Sequence, residues 1–234
     1  MKIDIFVIDF DSTFVNGESM NIMIEMALRE HARRSEINSR LKILSDLCMK
    51  SEVGFREYFK MKIEIVKQAL KEEHLLKVAK ILESKVSPHI VKLLEKVKQL
   101  NRKVIVLSNG FKLVLKDVME KYGIDIYFAN KHITDRNGYV IGFDESNPLA
   151  NDNGKENIIR FLKSKNFIQE DEKIIMIGDG MPDLKVYKEK ASDYFLNFAL
   201  NKNRKLKKHR INNDPNFIIC RKPEDMDAFI NSLE

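Results

Sequence analysis

The chain has 234 residues, 44% hydrophobic and 32% charged, which suits one sizeable globular core with or without a smaller insert and is unlike a disordered composition. Its longest apolar runs, residues 5–8, 104–107 and 174–177, fall far short of the ~20 residues of a membrane span, so no membrane partner is expected. The net charge of +6 is mild, and Cys48 and Cys220 match no metal spacing; they are expected as reduced thiols in a cytoplasmic protein.

Residues 3–8 are apolar and rich in β-branched side chains, and they run into Asp9-Phe10-Asp11-Ser12-Thr13. That pattern reads as a buried strand opening into a polar loop. Met1-Lys2-Ile3-Asp4 leads straight into it, with no apolar signal region. From about 18 to 82 the chain lacks proline, and its apolar residues recur at helical spacing, among them Ile22, Met26, Leu41, Leu44, Phe55, Phe59, Ile63 and Val66. Three or four helices are expected there, forming a cap (residues 15–82) inserted into a core made of residues 1–14 and 83–234. Ser87-Pro88 marks re-entry to the core, because proline suits a first helical turn.

Residues 103–107 form a second strand-like run ending in Ser108-Asn109-Gly110, with a helix expected from Asn109 to Tyr122 and ended by Gly123. Around Asn137-Gly138, residues 131–142 carry the signal of a β-hairpin. A helix over 154–162 places Lys155 at its start. The strand 173–177 leads into Gly178-Asp179-Gly180, and Asp183 begins the next helix. Further strands are expected at 194–198 and 216–220, and a last helix over 223–233. Alternating strands and helices of this kind predict an α/β fold, a three-layer Rossmann-like parallel sheet core with an inserted α-helical cap. Ligands in such sheets sit at the carboxyl ends of the strands, where all three polar clusters fall.

Lys202, Arg204, Lys205, Lys207, Lys208 and Arg210 form a basic run. It reads either as an anion-binding patch or as a solvated face; no aromatic residue interleaves, so base stacking has no support and nucleic acid is not expected as a partner.

Phosphoryl transfer from a monoester needs a nucleophile, a cation to offset the phosphate's charge, donors for its oxygens and an acid for the leaving group. Carboxylates, a hydroxyl and a lysine stand at the right places for all of these. Asp9-Phe10-Asp11-Ser12-Thr13, Ser108-Asn109-Gly110-Phe111, Lys155 and Gly178-Asp179-Gly180-Met181-Pro182-Asp183 together resemble the four motifs of the haloacid dehalogenase superfamily, and within it the phosphoserine phosphatases.

The resemblance implies a Mg²⁺-dependent phosphomonoesterase acting on a small phosphorylated metabolite, O-phosphoserine first, or else another amine- or hydroxyl-bearing monoester such as phosphoethanolamine or a sugar phosphate. It implies that Asp9 is the nucleophile and that Asp11 is the acid and base. Ser108 and Lys155 would hold the phosphate beside Asn109 and Gly110. Mg²⁺ would be bound by Asp9, Asp11 (through its backbone carbonyl) and Asp179, with Asp183 positioning Lys155 or the metal's waters. Glu18 would take the substrate amine, and Met49 and Phe55 would line the cap pocket. Three positions depart from the pattern: Pro182 replaces a polar residue, Asn109 a glycine, and Lys62 the cap arginine. A lysine is cationic but lacks the two-pronged guanidinium contact. Monomer and homodimer both remain open.

Overall fold

The computed structural model describes residues 1–49, 52–198 and 214–234; the basic run 202–210 and Lys50 and Ser51 lie outside them. Its centre is a six-stranded sheet in the order β3-β2-β1-β6-β7-β8. The strands are β1 (Ile5–Asp9), β2 (Lys103–Phe111), β3 (Tyr127–Asn130), β6 (Ile174–Gly178), β7 (Tyr194–Phe198) and β8 (Phe217–Cys220), all parallel. A parallel sheet must bury both faces, and period-two alternation divides the apolar side chains between them. Phe6, Ile8, Val106 and Ile177 pack under α5 (Pro88–Gln99), α6 (Lys112–Lys121) and α9 (Pro223–Asn231). Ile5, Val7, Ile105 and Met176 pack under α7 (Gly154–Ser164) and α8 (Met181–Lys188). The three-layer α/β expectation holds.

Between β1 and α5 lie four helices: α1 (Ser19–Ala27), α2 (Arg34–Met49), α3 (Phe55–Val66) and α4 (Glu72–Glu83). Phe59 of α3 brings its ring within 5.4 Å of Phe111, the last residue of β2, and 4.7 Å of Phe143. Those contacts seat α3 over the carboxyl end of the sheet. Phe143 ends the hairpin formed by β4 (His132–Thr134) and β5 (Val140–Phe143). Its link is longer than a two-residue turn: Asp135 Oδ1 accepts from the Asn137 and Tyr139 amides, and Gly138 takes φ +79°.

One boundary differs from expectation. The helix expected from Asn109 begins at Lys112, and β2 continues to Phe111. Asn130 Nδ2 donates to the Asn109 carbonyl at 2.8 Å, and Phe111 pairs with Asn130 in β3, so the chain stays extended past Ser108. β3 itself had no sequence signal. Gly123, at φ +64°, ends α6 as expected. Among the described residues Cys48 and Cys220 are free, and no helix is long and apolar enough to cross a membrane.

Candidate active site

Asp9 closes β1 and Asp179 follows the adjacent parallel strand β6, so both carboxylates rise at one edge of the sheet. Asp183 joins them from the first turn of α8. Carboxylate oxygens of the three lie within 4.8 Å of one another, and all three residues are buried. Lys155, from the first turn of α7, is 3% exposed and donates to Asp9 Oδ1 and, at 2.5 Å, to Asp183 Oδ1.

Lys155 is thus shared by Asp9 and Asp183 in a buried site. Burial, and next the charge of Asp183, push the Asp9 carboxyl well above the usual carboxylate range, although Lys155 pulls the other way. Burial also works against the Lys155 charge, but Asp183 and Asp9 together hold its pKa above that of an ordinary lysine. A buried cluster of hard oxygen donors fits a Mg²⁺-type cation.

Asp183 also shapes the loop. Its Oδ2 accepts from the amides of Asp179 (3.1 Å) and Gly180 (2.9 Å). A Cβ on Gly178 would sit 2.3–2.5 Å from the Asp183 side chain, so no larger residue fits there.

Ser108 is fully buried, and its Oγ accepts from the Gly110 amide at 2.9 Å. A Cβ on Gly110 would lie 3.0 Å from Ser19 Oγ, 3.2 Å from Ser108 Oγ and 3.3 Å from Asp11 Oδ2. Three polar side chains therefore converge on the space that this glycine leaves open. Asn109 turns its side chain elsewhere and donates to the Leu149 carbonyl at 2.8 Å.

The Asp11 carboxylate stands outside the acidic triad. Oδ1 accepts from the Ser19 amide (2.6 Å) and Oδ2 from Ser19 Oγ (3.0 Å), which ties it to the start of α1. Its pKa rises to about 6, through burial first and the charge of Glu18 second, with the Ser19 bonds opposing. Glu18 precedes α1 and accepts from Ser12 Oγ at 2.5 Å. Ser19 was not anticipated from the sequence; a hydroxyl residue directly after Glu18, at the expected start of a helix, was the available signal.

Phe55 lines a small cavity of about 30 Å³ together with Asn109 and Lys155, and its amide donates to Asp152 Oδ1 at 2.7 Å. Lys62 is buried, and its Nζ donates to Asn21 Oδ1 (3.0 Å) and Tyr58 Oη (3.2 Å). It lines a different cavity, one that includes none of Asp9, Asp11, Ser108 or Lys155. Met49 ends α2, and its side chain lies outside the described set.

The family model of haloacid dehalogenase-like hydrolases matches residues 3–189. The chain belongs to this family. Within it the chain is phosphoserine phosphatase-like, and its enzyme class is phosphoric monoester hydrolase. The phosphoserine phosphatase of Mus musculus is 28% identical over 211 residues, covering 85% of this chain and 82% of the relative. That of Methanocaldococcus jannaschii is 25% identical over 189 residues, covering 80% and 82%.

Among solved structures, a phosphoserine phosphohydrolase-like protein from Francisella tularensis aligns with a TM-score of 0.75 at 22% identity, over 98% of this chain and 100% of the other. A phospho-aspartyl intermediate analogue of phosphoserine phosphatase aligns with a TM-score of 0.75 at 21% identity, over the whole of both chains. These two speak to the fold.

Proposed function

We propose that this hydrolase is a Mg²⁺-dependent phosphomonoesterase that works through an aspartyl-phosphate on Asp9, with O-phosphoserine as its substrate. The observation that carries the reading is the buried cluster of Asp9, Asp179 and Asp183, whose carboxylate oxygens lie within 4.8 Å of one another, with Lys155 bonded to Asp9 and Asp183. Bound Mg²⁺, held by Asp9, Asp179 and the Asp11 carbonyl with Asp183 behind them, would offset the negative charge of the incoming phosphate.

An Asp9 oxygen attacks phosphorus, the bond to the leaving oxygen breaks, and protonated Asp11 gives that oxygen its proton. Asp11, with a pKa of about 6, is then placed to take a proton from water, which attacks the aspartyl-phosphate and frees Asp9 and inorganic phosphate. Lys155 and Ser108 hold the phosphate oxygens, with Asn109 and Gly110 beside them. Glu18 receives the substrate amine, Phe55 walls the pocket, and residues 15–82 act as a cap over the core. The two free thiols accord with work in the cytoplasm.

Phosphate release from phosphoserine by purified protein with Mg²⁺, lost in Asp9→Asn, is the expected result. No turnover across a panel of small monoesters would end the proposal. One observation favours another small monoester: Lys62, at the cap-arginine position, is engaged by Asn21 and Tyr58 in a separate cavity. Comparing kcat/KM for phosphoserine, phosphoethanolamine and sugar phosphates decides between the two.

A further inference from the structure

Lys62 raises a question that the reaction does not answer. It is 7% exposed, both of its hydrogen-bond acceptors are neutral, and among the described residues no carboxylate lies within ion-pair distance of it. A buried ammonium without a countercharge is costly; the Tyr58 ring, 5.4 Å from Nζ, offsets part of that cost, and a bound anion would supply the countercharge.

Lys62 opens on a cleft of about 380 Å³ between α1, α2 and α3 that is open to solvent, a volume in the range of small-molecule sites. The wall that α2 offers is polar and basic. Arg34, Asn38, Leu41, Lys42 and Ser45 recur at helical spacing and make one stripe, four of its five residues polar or charged. A helix packed against a neighbour ordinarily turns an apolar stripe toward it. Here the buried apolar residues, Ile37 and Leu44, lie on other positions of the helix, and the polar stripe, with Arg34, Asn38 and Lys42 exposed, lines the open cleft. Arg34, Lys42 and Lys62 against Glu25 give the lining a formal charge of +2.

The cavity also lies apart from the reaction centre. Asn21, which faces it, follows two residues after Ser19, which holds Asp11; at about 100° per residue the two side chains leave α1 on opposite sides.

We propose that this cavity binds a small dianion, carrying either two carboxylates or a phosphate group, at a site separate from the reaction centre. Lys62 meets the anion at the floor, Arg34 and Lys42 hold it from α2, and Asn21, Asn38 and Ser45 supply neutral polar contacts. The inference does not depend on which monoester is hydrolysed, and its test reads binding rather than turnover.

Succinate and inorganic phosphate are titrated calorimetrically into the 234-residue protein, into Arg34→Ala/Lys42→Ala and into Asp9→Asn. Arg34 and Lys42 are exposed, so the double variant is expected to fold, which far-ultraviolet circular dichroism checks. At least one of the two anions should bind saturably at one equivalent. That binding should weaken at least tenfold in the double variant and persist in Asp9→Asn. Whichever anion binds more tightly identifies the acid group. Failure of both anions to saturate, or binding indifferent to the double variant, overturns the proposal. So does binding that is strictly competitive with the phosphomonoester substrate, because it would merge the cavity with the reaction site.

Discussion

Asp11→Asn should make the protein both inactive and more stable, with a gain that depends on pH in a specified direction. The folded pKa of Asp11 is about 6, against an ordinary aspartate value of about 3.9 in the unfolded chain. Below about pH 4 the group is protonated in both states and costs nothing. As pH rises from about 4 to 6 the unfolded state ionises first, so folding stability falls, and the loss is complete above the folded pKa. A separation of about two pH units corresponds to about 3 kcal/mol. Asp11 is only half-buried, and solvent screening trims this to about 1–2 kcal/mol.

Asparagine carries no charge, keeps an oxygen for the Ser19 amide, and removes the repulsion from Glu18. Urea unfolding of metal-free protein at pH 7.5 should therefore show Asp11→Asn about 1–2 kcal/mol more stable than the parent, with the gap closing at pH 4. Phosphate release with Mg²⁺ should fall by about 100-fold or more, the usual worth of a general acid. A stability gap that is the same at both pH values, or a variant less stable at pH 7.5, would refute the electrostatic reasoning.

Lys155→Met strands Asp9 and Asp183 without their shared cation. Breaking a buried ion pair costs about 3–5 kcal/mol, so a thermal melt should show Tm lowered by about 6–20 °C along with loss of phosphate release. Gly178→Ala drives a methyl group into Asp183; kcat should drop by at least about tenfold as the bonds to Lys155 and the Gly180 amide are displaced, and steady-state assays check it. Mg²⁺ at about 100 times its Kd should stabilise the protein by about 2.7 kcal/mol, or about 5–10 °C in Tm. Asp179→Asn should abolish most of that rise, and differential scanning fluorimetry with and without EDTA separates the outcomes.

The sites at the strand ends were legible because a buried parallel strand is a short apolar run, and Asp9, Ser108 and Asp179 interrupt three such runs abruptly. Helical periodicity exposed α1 to α4 as clearly, since each turns apolar residues such as Met23, Phe59, Leu75 and Val78 inward. What the sequence hid depends on distant partners. β3 is only four residues long, and its Asn130 holds the Asn109 carbonyl from 21 residues away; nothing local announces that bond or the extension of β2 that accompanies it. Lys62 matched a family position by spacing alone. Spacing places a residue on a helix but does not choose its neighbours, and Asn21 and Tyr58 turn its charge into the cavity behind α1.

That arrangement gives α1 two attachments. Its first residue holds Asp11 by bonds of 2.6 and 3.0 Å, and two residues later Asn21 holds Lys62 at 3.0 Å. An α-helix moves as a stiff body over so short a span, so a shift of α1 by about 1 Å at the cavity reaches the Ser19–Asp11 contact nearly undiminished. The 2.6 Å bond is the largest of the influences that oppose the burial-driven rise in the Asp11 pKa; lengthening it raises that pKa further and would misalign the proposed acid with its leaving oxygen. A ligand that draws α2 and α3 toward α1 would therefore act on the proposed reaction through the proton held by Asp11, leaving Asp9, the proposed nucleophile, on its own strand and still bonded to Lys155.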